Sequence, residues 1–558
     1  MPERFTPKLI TTLREGYGLA DFRADAIAGL TVAIVALPLA MALGIASGAS
    51  PDKGLITAVV AGFLISALGG SRMQVGGPTG AFVVVIFNVI ARHGYDGLVL
   101  ATLFAGVILV VAGYARLGKL IRFVPHPVIT GFTAGIAVII ASSQVKDFLG
   151  LPLAKAPAEF LPQWQAYFGV IRQWSVPTLL IGLGSLGLIV ALKTAAPRWP
   201  GYLIAVVAAS AAVGLLGLPV DTIGSRFPDM PSGLPAPALP AFTLAKAQAV
   251  IPSAFTIAFL AGIEALLSAV VADGMAGTKH RPNQELVGQG VANIASSLFG
   301  GLPATGAIAR TATNIRAGAR TPVSGMCHAA FLLLFVLFAG GLMAYVPMAA
   351  LAAILFMVAL GMSEYRRFLR LLRLPGGDRA VLLLTFALTV LVDLTTAIAV
   401  GVTLASLLFM MRMSEAVQVE GRSAIQADPD LDDEDVDQRK GLPPGVEVFR
   451  IAGPLFFGVA GDLLDTLRNV GQKPRVVILR LRRVPFLDAS GAAALDQFVR
   501  QAVAGGTRVI ISGAQRQPLF VLTRAGLGRR TGRVDYAPDY PAALAMAESA
   551  GTEVAGAE

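Results

Sequence analysis

From about residue 24 to about residue 413 the chain is a series of apolar runs separated by short polar connections. AIAGLTVAIVALPLAMALGIAS (26–47) is typical: it holds no charged residue and meets the roughly 20 residues that a helix needs to cross a bilayer. The pattern predicts about fourteen membrane segments. They cover 24–47, 54–70, 79–92, 96–114, 126–144, 176–194, 201–218, 252–272, 284–299, 306–317, 323–344, 347–363, 379–393 and 395–413. Residues 1–23 form a polar, basic N-terminal segment without a secretory signal pattern. After 413 the pattern changes. DPDLDDEDVD (428–437) is acidic and aperiodic, which marks 414–445 as a solvated linker. Residues 446–548 then alternate strand-like runs, VEVFRI (446–451), RVVILRL (475–481) and TRVIIS (507–512), with helix-like runs, GDLLDTLRNV (461–470) and GAAALDQFVRQAV (491–503). This is the pattern of one small soluble α/β domain, followed by a flexible tail at 549–558.

Two of the apolar runs are broken. QVGGPTGAF (74–82) and GGLPATGAI (300–308) insert Gly and Pro ahead of short segments. Each break lies about 50 residues after the start of the first segment of its half, so seven segments are followed by seven more with interruptions in matching places, the mark of an inverted-repeat transporter. An odd repeat must run in opposite senses in its two copies. A half-helix that starts within the membrane leaves its first N–H groups unpaired, and these, with the helix dipole, attract anions. The expected site is a small anion held between Thr79, Gly80 and Ala81 on one side and Gly306, Ala307 and Ile308 on the other. Arg310, one turn into the second half-helix, adds a charge that stays protonated. The competing account is that both breaks are kinks in packed helices.

Composition sharpens the class. Hydrophobic residues make up 55% and charged residues 14%, about half the charged share of a soluble domain. The net charge of +10 would suit a nucleic-acid partner, but Lys and Arg gather in alternate connections, at Arg14 and Arg23, Arg116 and Arg122, Lys193 and Arg198, Arg316 and Arg320, and Arg366 to Arg373. That bias places both termini in the cytoplasm and excludes nucleic acid as the reason for the charge. One cysteine, Cys327, and four scattered histidines offer no disulfide and no metal site. No Walker-type loop is present, so neither nucleotide nor other cofactor is expected.

Glu264 stands inside SAFTIAFLAGIEALLSAVVADG (253–274), where an ionised carboxylate is costly unless paired or protonated. It is a candidate proton carrier, with Ser268 one turn on along the same face. A fixed Glu264–Arg310 ion pair holding the core together is the alternative role. Asp393, at a segment boundary, reads as a helix cap.

AGLTVAIVALPLAMALGIASG, GSRMQVGGPTGAF, SGLPAPALP, GIEALLSAVVADGMAGTKHRPNQELVGQG and GGLPATGAIARTATNIRAGARTP together resemble the sulfate permease (SulP) family of anion transporters. VPFLDASGAAALDQF (484–498) resembles the signature loop of STAS domains, which accompany that family. The resemblance covers nearly the whole chain. It implies a fourteen-span fold of core and gate domains, alternating access by an elevator-like movement and a homodimer. ADGMAGTKHRPNQELVGQG and GPLFF resemble the proteobacterial dicarboxylate-transporting branch, which takes up succinate, fumarate and aspartate. The resemblance also assigns substrate contacts to Thr79, Gly80, Ala81, Ala307 and Ile308 and the coupling carboxylate to Glu264. The sodium-dependent bicarbonate branch carries Asp at the Glu264 position and Thr at the Ser268 and Ile308 positions. Ile308 offers no hydroxyl to sodium, so protons are the expected coupling ion. In the anti-sigma factor antagonists that share the STAS fold the serine matching Ser490 is phosphorylated, and the resemblance implies a candidate regulatory site and cytoplasmic protein partner here; helix capping by Asp488 or Ser490 is the simpler role.

Energetics favour coupling. Bringing a dianion into a cell that is negative inside costs about 4.6 kcal/mol at 100 mV. Protons carried with it offset that charge. The expected protein is thus a proton-coupled C4-dicarboxylate transporter of a bacterial inner membrane, with sulfate or bicarbonate as alternative cargo. An anion channel on the same scaffold is a second reading. A nucleobase permease of related fold would carry a second membrane carboxylate where Arg310 stands, and an enzyme would need paired catalytic groups that the sequence does not offer.

Overall fold

The computed structural model describes residues 5–555 apart from 120–124, 154–156, 158, 198, 229–232, 241, 374–375, 416, 421–441, 461–473 and 528–533. The acidic stretch 428–437, the helix-like run 461–470, Arg122, Arg198 and the end of the tail lie outside the described residues.

A short α1 (Lys8–Glu15) leads into α2 (Leu19–Ala46) and α3 (Pro51–Leu68). The first break forms a two-residue strand, β1 (Gly76–Gly77), and a 3-10 turn over Gly80–Phe82 that runs into α4 (Val83–Tyr114). α5 (His126–Leu149), α6 (Phe160–Val170), α7 (Val176–Ala195), α8 (Gly201–Leu216) and the single turn α9 (Ile223–Arg226) complete the first half. The second half has α10 (Leu244–Ala276), α11 (Pro282–Leu298), the strand β2 (Thr305–Gly306) and the short α12 (Ile308–Arg316). It ends with α13 (Val323–Ala339), α14 (Met348–Met362), α15 (Tyr365–Leu371), α16 (Gly376–Leu391) and α17 (Leu394–Glu415). Among the described residues, nine helices are long and apolar enough to cross a membrane by length and composition. The remaining segments are shorter.

Local chemistry explains most helix ends. Pro51, Pro177 and Pro282 fall in the first turn of their helices, where a missing N–H costs nothing. Asp393 caps α17, its carboxylate accepting from the Thr396 amide at 2.8 Å and from the Thr396 hydroxyl at 2.9 Å. The expected segments 79–92 and 96–114 form one continuous element bent at Gly94, whose φ of 72° breaks the helical path. α10 begins at Leu244, ahead of the apolar run, because Thr243 caps it through the Lys246 amide (3.3 Å).

Packing sorts the helices into two groups. α2, α3, α4, α10, α11, α12 and α13 pack on one another and make the core, while α5, α7, α8, α14 and α16 make the gate. α4 and α11 cross closely at Gly106 and Gly290, where a side chain on either would meet the other's backbone. Buried carboxylates hold the core's connections. Glu285 accepts from the Gly70 and Ser71 amides at 2.8 and 3.0 Å. Asp25 accepts from the Arg320 amide (2.7 Å), the Thr321 amide (3.1 Å) and the Thr321 hydroxyl (2.5 Å). Leaving either carboxylate unpaired would cost several kcal/mol, roughly the penalty of an uncompensated buried ion.

The chain divides into two compact units, Met1–Ala405 and Ser406–Glu558. The second unit holds a five-stranded sheet in the order β3 (Gln418–Glu420), β4 (Val446–Ala452), β5 (Val476–Arg483), β6 (Arg508–Ser512), β7 (Val534–Ala537). β3 is antiparallel to β4 and the other pairs are parallel. α18 (Ala489–Ala504) and α19 (Arg516–Arg524) add to one apolar layer, and α20 (Tyr540–Ala555) to another. Strands β3 and β7 had no counterpart in the hydrophobic pattern, being short and partly polar.

Candidate anion site

The two sequence breaks meet each other. β1 and β2 pair antiparallel, Gly76 opposite Gly306 and Gly77 opposite Thr305, inside the core. The Ala307 amide donates to the Val75 carbonyl at 2.9 Å, and the Val75 amide donates to the Thr311 hydroxyl at 3.1 Å. α10 supports the pair from behind. The Gln74 amide nitrogen donates to the Ala265 carbonyl (3.0 Å), and the Thr305 hydroxyl donates to the Ala261 carbonyl (2.8 Å). The backbones come this close because both strands are rich in glycine: a Cβ on Gly306 would strike the Gln74 side chain.

From this pair two helical starts diverge. Thr79 precedes the turn that leads into α4, and Ala307 precedes α12. Neither start is capped by a side chain, so the leading amides keep their positive ends available. Both starts open on one cavity of about 760 Å³. Pro78, Thr79, Gly80 and Ala81 line it from the first half, and Ala307, Ile308, Ala309 and Arg310 from the second. Glu264 lines it from α10, while Met357 and Met362 of α14 and Tyr202 of α8 face it from the gate.

Arg310 is 2% exposed. Its Nη2 donates to the Pro78 carbonyl at 2.9 Å, which ties the guanidinium of the second half to the break of the first. Its Nε and Nη1, and the Thr79 hydroxyl, are buried without a hydrogen-bond partner among the described residues. Unpaired buried donors are expensive, and at a cavity wall they fit an anionic acceptor. Glu264 forms no ion pair with Arg310 among the described residues, so the expected alternative of a fixed Glu264–Arg310 bridge is not what the structure contains. The arginine is turned to Pro78 instead.

The structure thus brings Thr79, Gly80, Ala81, Ala307, Ile308, Arg310 and Glu264 to one cavity. Gly306 lies behind the wall, in the strand pair. Ser268 is fully buried and shares a hydrogen bond with the Thr311 hydroxyl at 3.1 Å, so it supports α12 rather than lining the cavity. Sequence reasoning passed over Gln74, Thr311 and Asn314, which hold the two breaks in place. Their signal was polarity inside stretches otherwise apolar or glycine-rich.

In the second unit Ser490 is exposed in the first turn of α18. Asp488 is the cap: one carboxylate oxygen accepts from the Gly491 amide at 2.8 Å and the other from the Phe457 amide at 3.1 Å.

Known proteins resemble the chain along nearly its full length. The sulfate permease family is matched over residues 22–385 and the STAS domain over 440–534. A Bacillus subtilis protein named as a sulfate transporter, YvdB, is 43% identical over 525 residues, covering 93% of this chain and 96% of its own. The bicarbonate transporter BicA of a Picosynechococcus strain is 32% identical, with 91% of this chain and 92% of its own covered. The transmembrane domain of a cyanobacterial bicarbonate transporter BicA superposes with a TM-score of 0.62 at 34% identity, over 68% of this chain and 98% of that one. The murine Solute Carrier 26 family member A9 anion transporter, in the inward-facing state, has the same fold: TM-score 0.84 at 18% identity, over 97% and 94% of the two chains.

Proposed function

Because the chain belongs to the sulfate permease family and carries a STAS domain, we propose that this membrane anion transporter is a proton-coupled secondary transporter of small dianions. The observation that carries the reading is the set of unpaired donors at Arg310 and Thr79, placed where two uncapped helix starts open on one cavity. Backbone amides and a guanidinium accept any compact oxyanion. Glu264, on the same wall, is the proton carrier, and the apolar Ile308 leaves sodium without an oxygen ligand there. Thr79, Gly80, Ala81, Ala307, Ile308 and Arg310 hold the anion, with Gly306 and Ser268 as supports.

The cargo we favour is a C4-dicarboxylate such as succinate or fumarate, on the sequence stretches that resemble that branch. The names of the relatives, sulfate for YvdB and bicarbonate for BicA, support a second reading with an inorganic oxyanion in the same cradle. The protein works as a homodimer in a bacterial inner membrane with both termini cytoplasmic, by elevator-type movement of core against gate. Ser490 is the point at which a cytoplasmic partner or a phosphate acts on the STAS domain.

Uptake of labelled fumarate, succinate, sulfate and bicarbonate into proteoliposomes tests this. The expected result is accumulation of a dicarboxylate that collapses with the proton gradient and ignores sodium. Accumulation of sulfate or bicarbonate alone would replace the cargo and keep the site. Current without accumulation would make the protein a channel.

A further inference from the structure

α12 and α13 are joined where they adjoin: the Asn314 amide nitrogen donates to the Ser324 hydroxyl at 2.8 Å. One turn back along α12 is Arg310, and one turn onward along α13 is His328. Residues four apart share a helix face, so Arg310 and His328 stand on the two faces that the Asn314–Ser324 bond joins. α13 reaches that juncture by packing on α2 and α3: a Cβ on Gly325 would meet the Ser66 side chain, and one on Gly29 would meet the His328 amide at 2.9 Å.

The side chains at this juncture are buried and polar. His328 is 0% exposed, Asn314 0% and Arg310 2%. Both ring nitrogens of His328, the side-chain oxygen of Asn314, and Nε and Nη1 of Arg310 have no hydrogen-bond partner among the described residues. Their chemistry is complementary. Arginine offers only donors, the asparagine oxygen only accepts, and a neutral imidazole does one of each. Groups of this kind, too far apart to bond directly, are joined in protein interiors by enclosed water that makes about three hydrogen bonds.

We propose that His328 is a positioning residue for anion binding, its ring holding one edge of the Arg310 guanidinium through enclosed water so that the guanidinium keeps its place at the cavity wall. The inference rests on the reading of Arg310 as an anion ligand. His328 itself lies off the cavity lining and does not touch the cargo. Removing the ring nitrogens leaves the guanidinium to relax toward the Pro78 carbonyl, and the anion loses part of its grip. A glutamine, which can also donate and accept, restores it.

The test is equilibrium binding of fumarate and of sulfate to the full-length protein by isothermal titration, with thermal unfolding measured on the same samples. His328→Phe is expected to weaken the better-bound anion about tenfold, the order of one lost buried hydrogen bond to a charged group. His328→Gln is expected to bind within about threefold of the parent, a change below that of one hydrogen bond. In an Arg310→Gln background His328→Phe is expected to change binding no further. Weakening that persists in the Arg310→Gln background, or a lowered unfolding temperature with parental affinity, would overturn the proposal by assigning the ring to the fold. The same holds if His328→Phe and His328→Leu both fail to fold while His328→Gln behaves as the parent. Parental affinity in Arg310→Gln alone, or no binding of either anion to the parent, would remove the anion-site reading and this inference together. Parental affinity in His328→Phe beside a weakened Arg310→Gln would remove this inference only.

Discussion

Gly77 and Arg310 occupy one point from opposite halves of the chain. Gly77 turns with a φ of 147°, and a Cβ built on it would collide with Nη1 of the Arg310 guanidinium. The contact needs both the absent side chain and the unusual backbone. Gly77→Ala should therefore cost about 1–3 kcal/mol in backbone strain and push the guanidinium off the Pro78 carbonyl. The expected outcome is anion binding weakened about tenfold or more, read by titration. Gly184→Ala on α7, where nothing lies near the added methyl, is the control and should bind as the parent. Equal affinity of the two variants would show that the close approach does not matter.

Glu264 lines the cavity without a basic partner among the described residues, which is the basis of its proposed role as proton carrier. Glu264→Gln keeps the shape and fixes the neutral state. Anion binding should survive, exchange down an anion gradient should continue, and accumulation driven by an imposed pH gradient should vanish. Proton-driven accumulation at the parental level in this variant would remove Glu264 from the coupling role.

Asp488 holds two segments of the STAS domain, the first turn of α18 through Gly491 and the stretch after β4 through Phe457. Asp488→Ala should cost about 1 kcal/mol, as for a lost helix cap. Hydrogen exchange on the full chain should quicken about fivefold at the first-turn amides of α18, since protection there tracks local stability. Exchange that stays at the parental rate would mean that the loop is held by its apolar contacts alone.

Tyr536 sets an alkaline limit for the same domain. Burial pushes its hydroxyl up to about 12, and the hydroxyl donates to the Leu527 carbonyl at 2.5 Å. An unfolded tyrosine ionises near 10, so the folded state favours the neutral form. That contribution is complete below about pH 10 and is lost as pH rises toward 12. The unfolding temperature of the STAS domain should fall more steeply between those values in the parent than in Tyr536→Phe. Parallel curves would exclude the tyrosine as the cause.

Much of this was readable in the sequence, because apolar length alone forces a backbone to form helices in a membrane. The two Gly/Pro breaks were visible as half-helix starts, and Asp393 as a cap. Their direct pairing through Gly76–Gly77 and Thr305–Gly306 was not, since a two-residue strand leaves no periodic signal. Asp25 and Glu285 were also missed: each lies near a helix end and looks interfacial, yet each is buried because it gathers backbone amides from a distant connection. Gly306 and Ser268 illustrate the opposite error. Proximity in sequence to a cavity residue does not say which side of the wall a residue faces: Gly306 is held in the strand pair, and Ser268 on α10 is turned to Thr311.

The strand pair also decides which wall can act as a door. The two helix starts are stitched together through Val75 and Ala307 and braced by α10, so the cradle cannot release its contents by parting along that seam. The opposite side is built differently: Met357, Met362 and Tyr202 line the same space from helices that the strand pair does not join. Under the proposed elevator movement the strand pair would be the fixed jaw and the face of Met357, Met362 and Tyr202 the sliding one, and changes that loosen that face should alter how often the pocket opens while leaving the grip intact.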